Sequence, residues 1–239
     1  MRVLALDTTT RGGSVAIADD GRVIVERVGD SARSHAERLP TELVDLLHSV
    51  GWSTADVDLF AVASGPGSFT GLRIGIATIQ GLAFVHGKRV APVPALRALA
   101  EAAVAGAPVG TRVGVWMDAS RRDVFSALYE VSTPPSDDHD LATLVDIEGA
   151  MASAPADTIT RWSALGMPAV LCGDGAVTYA SLVSAAVRVL PPPPLASFIA
   201  RLAIRLNATG DTHTPARVQP LYVRRPDVEL ARDAIRNAP

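Results

Sequence analysis

Residues 64–81 read Ser-Gly-Pro-Gly-Ser-Phe-Thr-Gly-Leu-Arg-Ile-Gly-Ile-Ala-Thr-Ile-Gln-Gly and directly follow the apolar segment Val57–Ala63. A glycine-rich turn between a strand and a helix is where phosphate-binding loops occur. A Walker loop, however, needs a lysine for the outer phosphates, and Lys88 is the only lysine of the chain. The first three glycines lack the spacing of a dinucleotide-binding loop, and no acidic residue follows before Glu101 to hold a ribose. The stretch therefore predicts a strand–turn–helix unit that lacks the residues for nucleotide chemistry.

The length and composition describe a soluble, folded chain. Its 239 residues are enough for one large domain or two small ones, and 48% hydrophobic with 20% charged residues is ordinary for a globular protein. The net charge of −3 argues against a nucleic-acid binder that is basic overall. Cys172 is the only cysteine, no run of eighteen apolar residues occurs, and no signal peptide precedes the first strand. We therefore expect a cytoplasmic protein without disulfides and without membrane contact.

The first half of the chain gives a clear order of strands and helices. A hairpin is indicated by Asp19-Asp20-Gly21 between two alternating segments. Ser34 and Glu37 form a capping box ahead of leucines at helical spacing. The predicted elements are strands at 2–7, 14–18, 22–28, 57–63 and 88–93, and helices at 34–50, 70–86 and 94–105.

The second half begins in the same way. Asp118-Ala119-Ser120 ends a strand as Asp7-Thr8-Thr9 does, and another strand follows each of them. The predicted elements are strands at 113–118, 123–131 and 169–172, helices at 141–152, from 175 through 187 and at 196–207, and a last strand or extended segment at 218–225. Two β-β-β-α-β-α-type units indicate an internal duplication and an α/β fold of the actin-like, Hsp70-like and sugar-kinase-like (ASKHA) class. We expect subdomains at 1–106 and 107–225 and a tail at 226–239.

Five motifs carry a resemblance to a known family, and together they extend over nearly the whole chain. They are Leu-Ala-Leu-Asp-Thr-Thr at 4–9, Ser-Gly-Pro-Gly-Ser-Phe-Thr-Gly-Leu-Arg-Ile-Gly at 64–75, Met-Asp-Ala-Ser-Arg-Arg-Asp-Val-Phe at 117–125, Gly-Asp-Gly at 173–175 and Pro-Leu-Tyr-Val-Arg at 220–224. With these motifs the chain closely resembles the TsaB (YeaZ) family, the non-catalytic partners in bacterial synthesis of tRNA threonylcarbamoyladenosine. The resemblance implies a scaffold that docks and activates the transferase TsaD and lets the ATPase TsaE join. It implies that tRNA is met through the complex and that ATP belongs to the partner proteins, so no cofactor is expected here.

A metal site is not expected. TsaD-like relatives carry a His-x-x-x-His pair, which places two ring nitrogens on one helix face to share a metal. The corresponding positions here hold Ala95 and Leu99, and no two of the five histidines lie four residues apart. For His35 and His48, on the first helix, we expect exposed or rim positions. The resemblance therefore implies a chain that is not itself an enzyme.

The helix after the glycine loop has one charged residue, Arg73, between Gly71 and Val85. A helix that is apolar on every side is buried or packs against another protein. Gly71, Gly75, Thr78 and Leu82 form a stripe of mostly small residues, and the resemblance implies pairing with TsaD, or with a second copy, through the first two helices. We expect a charge at Gly75 or Ile76 to abolish association without unfolding the chain. The expected interface residues are Leu39, Leu43, Leu46, Leu47, Gly71, Leu72, Arg73, Gly75, Ile76, Thr78, Ile79 and Leu82.

The turns that correspond to phosphate loops in active relatives are predicted to be vestigial. In active relatives an aspartate at such a turn positions a magnesium ion, and small residues let the phosphate approach the backbone. The turns of this chain have the aspartate but lack the open glycine turn. The residues of this vestigial nucleotide site are Asp7, Thr8, Thr9, Asp118, Ser120, Gly173 and Gly175. Two alternatives stay open: an ATP-binding or ATP-hydrolysing protein of the same fold and, disfavoured, a peptidase. The arginines Arg217, Arg224, Arg225, Arg232 and Arg236 make a basic tail, which is either solvated or in contact with tRNA phosphates.

Overall fold

The computed structural model describes residues 1–136 and 140–224. Two five-stranded sheets form the framework, with the orders β3-β2-β1-β4-β5 and β10-β9-β6-β7-β8. Read from the hairpin side, the second sheet repeats the first: an antiparallel strand triplet followed by two parallel strands. The internal duplication expected from the aspartate motifs is thus present in the architecture.

The first half contains five strands and three helices, as expected from the sequence. Its elements are β1 Arg2–Asp7, β2 Ser14–Asp19, β3 Arg22–Val28, α1 His35–Ser49, β4 Leu59–Gly65, α2 Phe69–Val85, β5 Arg89–Pro94 and α3 Ala95–Ala103. Pro40 falls inside α1 and does not prevent the helix from continuing to Ser49.

The second half repeats this order. Its elements are β6 Arg112–Asp118, β7 Val124–Thr133, β8 Thr143–Ser153, α4 Pro155–Leu165, β9 Val170–Cys172, α5 Asp174–Thr178, β10 Arg188–Leu190 and α6 Ala196–Thr209. Two predictions for this half are wrong. Residues 141–152 were expected to be helical, but most of them form β8, and the helix follows in α4. The helix expected through residue 187 ends at Thr178, and β10 was not predicted. For the last segment the sequence allowed a strand or an extended segment, and its described part, residues 218–224, forms no strand.

Layers of helices and sheets alternate because neighbouring strand residues face opposite sides. In β1, Val3 and Ala5 belong to the core between the two sheets, whereas Leu4 and Leu6 belong to the core under α1 and α2. Helices α3 and α6 fill the space between the sheets, and α4 and α5 cover the outer face of the second sheet around Trp116. The inner face of the first sheet is built mainly from alanines, which lets α6 lie close to it.

Within residues 1–136 and 140–224, no helix is long and apolar enough to span a membrane. The expected subdomain bounds at 106 and 225 stay a prediction. Residues 225–239, with the arginines of the expected tail beyond Arg224, lie outside the described residues.

Candidate functional site

The turn after β1 is a closed, buried structure. The Oδ1 atom of Asp7 accepts hydrogen bonds from the Thr9 amide at 2.8 Å and from the Thr9 hydroxyl at 2.7 Å. Burial raises the pKa of the Asp7 carboxyl, although both hydrogen bonds from Thr9 oppose the shift. Thr8 is fully buried, and its hydroxyl oxygen has no hydrogen-bond partner among the described residues. The carboxylate therefore holds its own turn together.

The glycine loop packs directly on this turn. The Ser68 amide donates to the Thr9 carbonyl at 2.8 Å. A Cβ atom on Gly67 would lie 2.6 Å from Cβ of Thr9, one on Gly71 would lie 2.1 Å from the carbonyl oxygen of Thr8, and one on Gly75 would lie 2.2 Å from the Thr8 hydroxyl oxygen. These glycines are therefore needed for the close approach of α2 to the end of β1. The side of each glycine that carries no side chain therefore packs against Thr8 or Thr9 of the same chain.

The second half repeats the arrangement. The Oδ1 atom of Asp118 accepts from the Ser120 amide at 2.9 Å, as Asp7 does from Thr9. Asp174 accepts from the amides of Asp118 at 2.9 Å and Gly175 at 2.8 Å. A Cβ atom on Gly173 would lie 2.0 Å from the carbonyl oxygen of Trp116, so this glycine too serves a close approach to a strand end. The turn has the same two parts in both halves, an aspartate-closed strand end and a glycine turn packed on it.

A cleft of about 630 Å³ separates the two turns. This volume lies within the usual range of small-molecule sites, roughly 300–1,000 Å³. Of the seven residues of the expected vestigial site, Thr9, Asp118 and Ser120 line the cleft. Asp7 lines a neighbouring cavity of about 290 Å³, and Asp174 borders both. Thr8, Gly173 and Gly175 border neither, because they are packed against the chain.

The two positions at which the sequence lacks a metal-binding histidine pair lie in the core between the sheets. Ala95 and Leu99 are on α3 and are almost completely buried, and Leu99 also borders the smaller cavity beside Asp7. In the part of the chain that the structure describes, no group of three or more His, Cys, Asp and Glu side chains could hold a metal ion.

The interface residues expected from the sequence mostly face inward. Leu39, Leu43, Leu46, Leu47, Ile76 and Ile79 are buried in the core under α1 and α2, Leu72 is buried at the wall of the cleft, and Gly71 and Gly75 face Thr8. A charge at Gly75 or Ile76 would therefore disrupt the chain itself, and the expectation that it leaves the fold intact is wrong. Arg73 is exposed, and Thr78 and Leu82 are partly exposed.

The exposed side of α2 is a different stripe, which we call the α2 face. It consists of Thr70, Arg73, Ala77, Gly81, Phe84 and Val85. Phe84 is 78% exposed and Val85 76% exposed. Arg73 is the only charged residue of α2. The apolar sequence of α2 correctly indicated that one side of the helix is exposed. It did not indicate which residues form that side.

A buried polar cluster on α1 was not predicted from the sequence. His35 is buried, contrary to its expected exposed position, whereas His48 is exposed. The His35 Nε2–H donates to the Thr10 carbonyl at 2.9 Å, and His35 Nδ1 accepts from Nη2 of Arg38 at 2.6 Å. Arg38 also donates to the Gly12 carbonyl and pairs with Glu42. Arginine on a helix is usually exposed, so spacing alone gave no signal for this cluster.

The comparison with known proteins begins with a protein-family model. Residues 29–210 match the model described as TsaD, tRNA N6-adenosine threonylcarbamoyltransferase. The TsaB protein of Escherichia coli is 39% identical over 132 residues, which are 54% of this chain and 55% of that protein. The chain belongs to the TsaB (YeaZ) family. The TsaB protein of Bacillus subtilis is 29% identical over 54% of this chain and 56% of its own length, so the match to these two relatives spans about half of each.

A solved structure extends the likeness to the whole fold of the family. A crystal structure from Pseudomonas aeruginosa, described as an uncharacterized protein with similarity to peptidase YEAZ, superposes with a TM-score of 0.78. It is 29% identical and covers 93% of this chain and 99% of its own. The whole described TsaB-type architecture, including the second half where the sequence predictions were weakest, therefore has a close structural counterpart.

Proposed function

We propose that this chain is a non-catalytic scaffold subunit in the synthesis of tRNA threonylcarbamoyladenosine. In this proposal it binds and activates a TsaD-type transferase, lets a TsaE-type ATPase join the complex, meets tRNA through that complex and works in the cytoplasm. The names of the TsaB relatives support the pathway, and the match to the TsaD model supports descent from a transferase. The repeated order of elements in the two halves supports assignment to the ASKHA class of folds.

The observation that carries the proposal is the α2 face, which none of the described residues covers. Single exposed apolar residues are common on protein surfaces, but contiguous apolar patches mark interaction sites. Ala77 and Gly81 allow a second helix to approach closely, and Phe84 and Val85 supply apolar area at one end. Arg73 at the other end would pair with a carboxylate of the partner. The same face is our candidate for self-association, which would then compete with transferase binding.

The test places a charge where the chain has room for it. A Cβ atom on Gly81 would meet no atom of the described residues within 4 Å, and Ala77 is exposed, so Ala77→Glu and Gly81→Glu are expected to fold. Both should weaken binding of a TsaD-type transferase by at least about a hundredfold, because a carboxylate would be buried in an apolar contact. Leu182→Glu, at a 52% exposed leucine on the other half, is the control and should bind normally. A heterodimer that persists in size-exclusion chromatography with both α2 variants contradicts the proposal.

A nucleotide-binding protein is the second candidate, because the cleft between the halves has the volume of a ligand site. Against it stand the packed glycine turns and the small number of cations that the described residues place at the cleft, Arg11 and Arg224. We propose that the chain has no cofactor of its own and that ATP stays with the partner proteins. Calorimetric titration of the isolated chain with ATP decides this point. Binding that is lost in Asp118→Ala would replace the scaffold proposal.

A further inference from the structure

The last described segment, residues 218–224, which we call the latch, is attached first to α2 and its loop. Gln80 Nε2 on α2 donates to the carbonyls of Pro215 at 2.7 Å and Val218 at 3.1 Å. The Leu221 amide donates to the Ser64 carbonyl at 2.7 Å. A Cβ atom on Gly65 would lie 2.8 Å from the Leu221 carbonyl oxygen, so the glycine loop is shaped to receive the latch.

The middle of the latch is held by a residue of the α2 face. The hydroxyl of Tyr222 accepts a hydrogen bond from Nε of Arg73 at 3.0 Å. The Tyr222 ring packs on Phe69 with the centroids 5.3 Å apart, and the Arg73 guanidinium lies 3.9 Å from the centroid of Phe69. Arg73 therefore serves the latch and the α2 face at once, and a partner that re-orients Arg73 must disturb Tyr222.

The far end of the latch is attached to the other half. Arg224 Nη1 pairs with Asp123 at 3.0 Å, and Nη2 donates to the carbonyl of Ala119. This hairpin turn contains three successive left-handed residues, Ser120, Arg121 and Arg122, with φ of 59°, 56° and 67°. Non-glycine residues hold this conformation only where their surroundings fix it. The contacts of Arg224 help to hold the turn in this conformation. The latch crosses the cleft to reach the turn, since residues 221–224 all border the cleft.

We propose that the latch is a conformational device that couples the α2 face to the cleft. A ligand shifts such an equilibrium only through contacts that differ between the two states. Arg73 makes that difference here: bound to Tyr222 it keeps the latch seated, and drawn to a partner it releases the latch and loosens the β6–β7 turn across the cleft. The identity of the partner rests on the proposed function, whereas the latch itself rests on the contacts within this chain.

The test is hydrogen–deuterium exchange of the full chain, with Arg224→Ala cutting the far end and Arg188→Ala, an exposed arginine on β10, as the matched control. In a coupled latch, Arg224→Ala accelerates exchange about tenfold in two separate places, the turn 118–124 and the Leu221 amide that bonds to Ser64. Acceleration confined to residues 222–224, or equal to that of the control, overturns the proposal. Tyr222→Phe, which removes only the hydroxyl that accepts from Arg73, is the second variant and should accelerate exchange in the same turn.

The partner arm uses a TsaD-type transferase. Allosteric couplings typically change an affinity by about 5- to 150-fold. Tyr222→Phe and Arg224→Ala should each lower the Kd for the transferase about fivefold, because the partner no longer has to release the latch, although Arg224 lies outside the α2 face. Arg188→Ala should leave the Kd unchanged. An unchanged Kd in Arg224→Ala overturns the coupling. If the wild-type chain does not bind the transferase at all, the proposed function fails, and the exchange arm alone then decides whether the latch exists.

Discussion

Three glycines set the distance between α2 and the end of β1. Gly67, Gly71 and Gly75 all face Thr8 or Thr9, and no side chain fits between them. This contact buries Thr8 completely and forms the wall of the cleft on the side of the first half. A glycine-rich loop can provide either open backbone for a phosphate or room for another chain segment. In this protein the second use accounts for the glycines.

We expect Gly71→Ala to destabilise the fold by about 1–3 kcal/mol, the usual cost of overpacking a filled site. The added methyl carbon would lie 2.1 Å from the Thr8 carbonyl oxygen, which belongs to the backbone and cannot swing away. Gly81→Ala, on the open side of the same helix, is the matched control and should stabilise by about 0.5–1 kcal/mol. Urea unfolding at neutral pH measures both changes. Equal effects of the two substitutions would contradict the packing described for Gly71.

At the scale of whole elements, the sequence predicted best where pattern and packing agree. Strands β1, β2 and β4 are almost fully buried apolar runs, and they were found close to their true bounds. Strand β8 was predicted as a helix because Ala, Leu, Met and Glu favour helix formation. Its antiparallel pairing with β7 stabilises the strand conformation instead. Pro155 at the first position of α4 was an available signal for the true helix start. For α2 the sequence indicated partner contact, but only neighbouring elements determine which of its sides is free.

Helix α1 is attached to the β1–β2 loop through His35, and this attachment depends on pH. Burial lowers the pKa of His35 in the folded chain, and the neighbouring Arg38 guanidinium adds to the shift. Because the folded pKa lies below the unfolded value of 6.5, the stabilisation is complete above pH 6.5 and is lost as the pH falls from 6.5 through the folded pKa. Protonation places a second donor against Arg38 and breaks their hydrogen bond, which costs about 1 kcal/mol.

The measurement compares urea unfolding at pH 7.5 and pH 5.5 in the wild-type chain and in His35→Gln. The glutamine offers a donor for Thr10 and an acceptor for Arg38 but does not titrate. The wild-type chain should therefore lose more stability on acidification than the variant. The same loss in both chains would mean that His35 does not control this pH dependence.

At the scale of the whole molecule, the two halves are interleaved. Helix α6 belongs to the second half by sequence, but it covers the inner face of the first sheet, where Ile199 shares one core with Val3 and Ala5. Its start is fixed by the first half as well: the amides of Leu195 and Ala196 donate to the Ser14 hydroxyl oxygen at 3.1 and 2.9 Å. The Ser197 amide donates to Glu26 at 2.9 Å. The duplication is therefore a repeat of topology, and the core is continuous across it.

This interleaving predicts that the subdomain expected at residues 1–106 does not fold alone. Without α6 its inner sheet face is left in water, and burial of that apolar face is the main term that stabilises the sheet. We expect fragment 1–106 to give a poorly dispersed amide NMR spectrum and no cooperative unfolding, while the full chain gives both signals of a folded protein. Mixing the fragment with 107–239 should restore dispersion, because the complement brings α6. A dispersed spectrum and a cooperative transition for 1–106 by itself would show that α6 is dispensable for the first sheet and that the two halves are independent units.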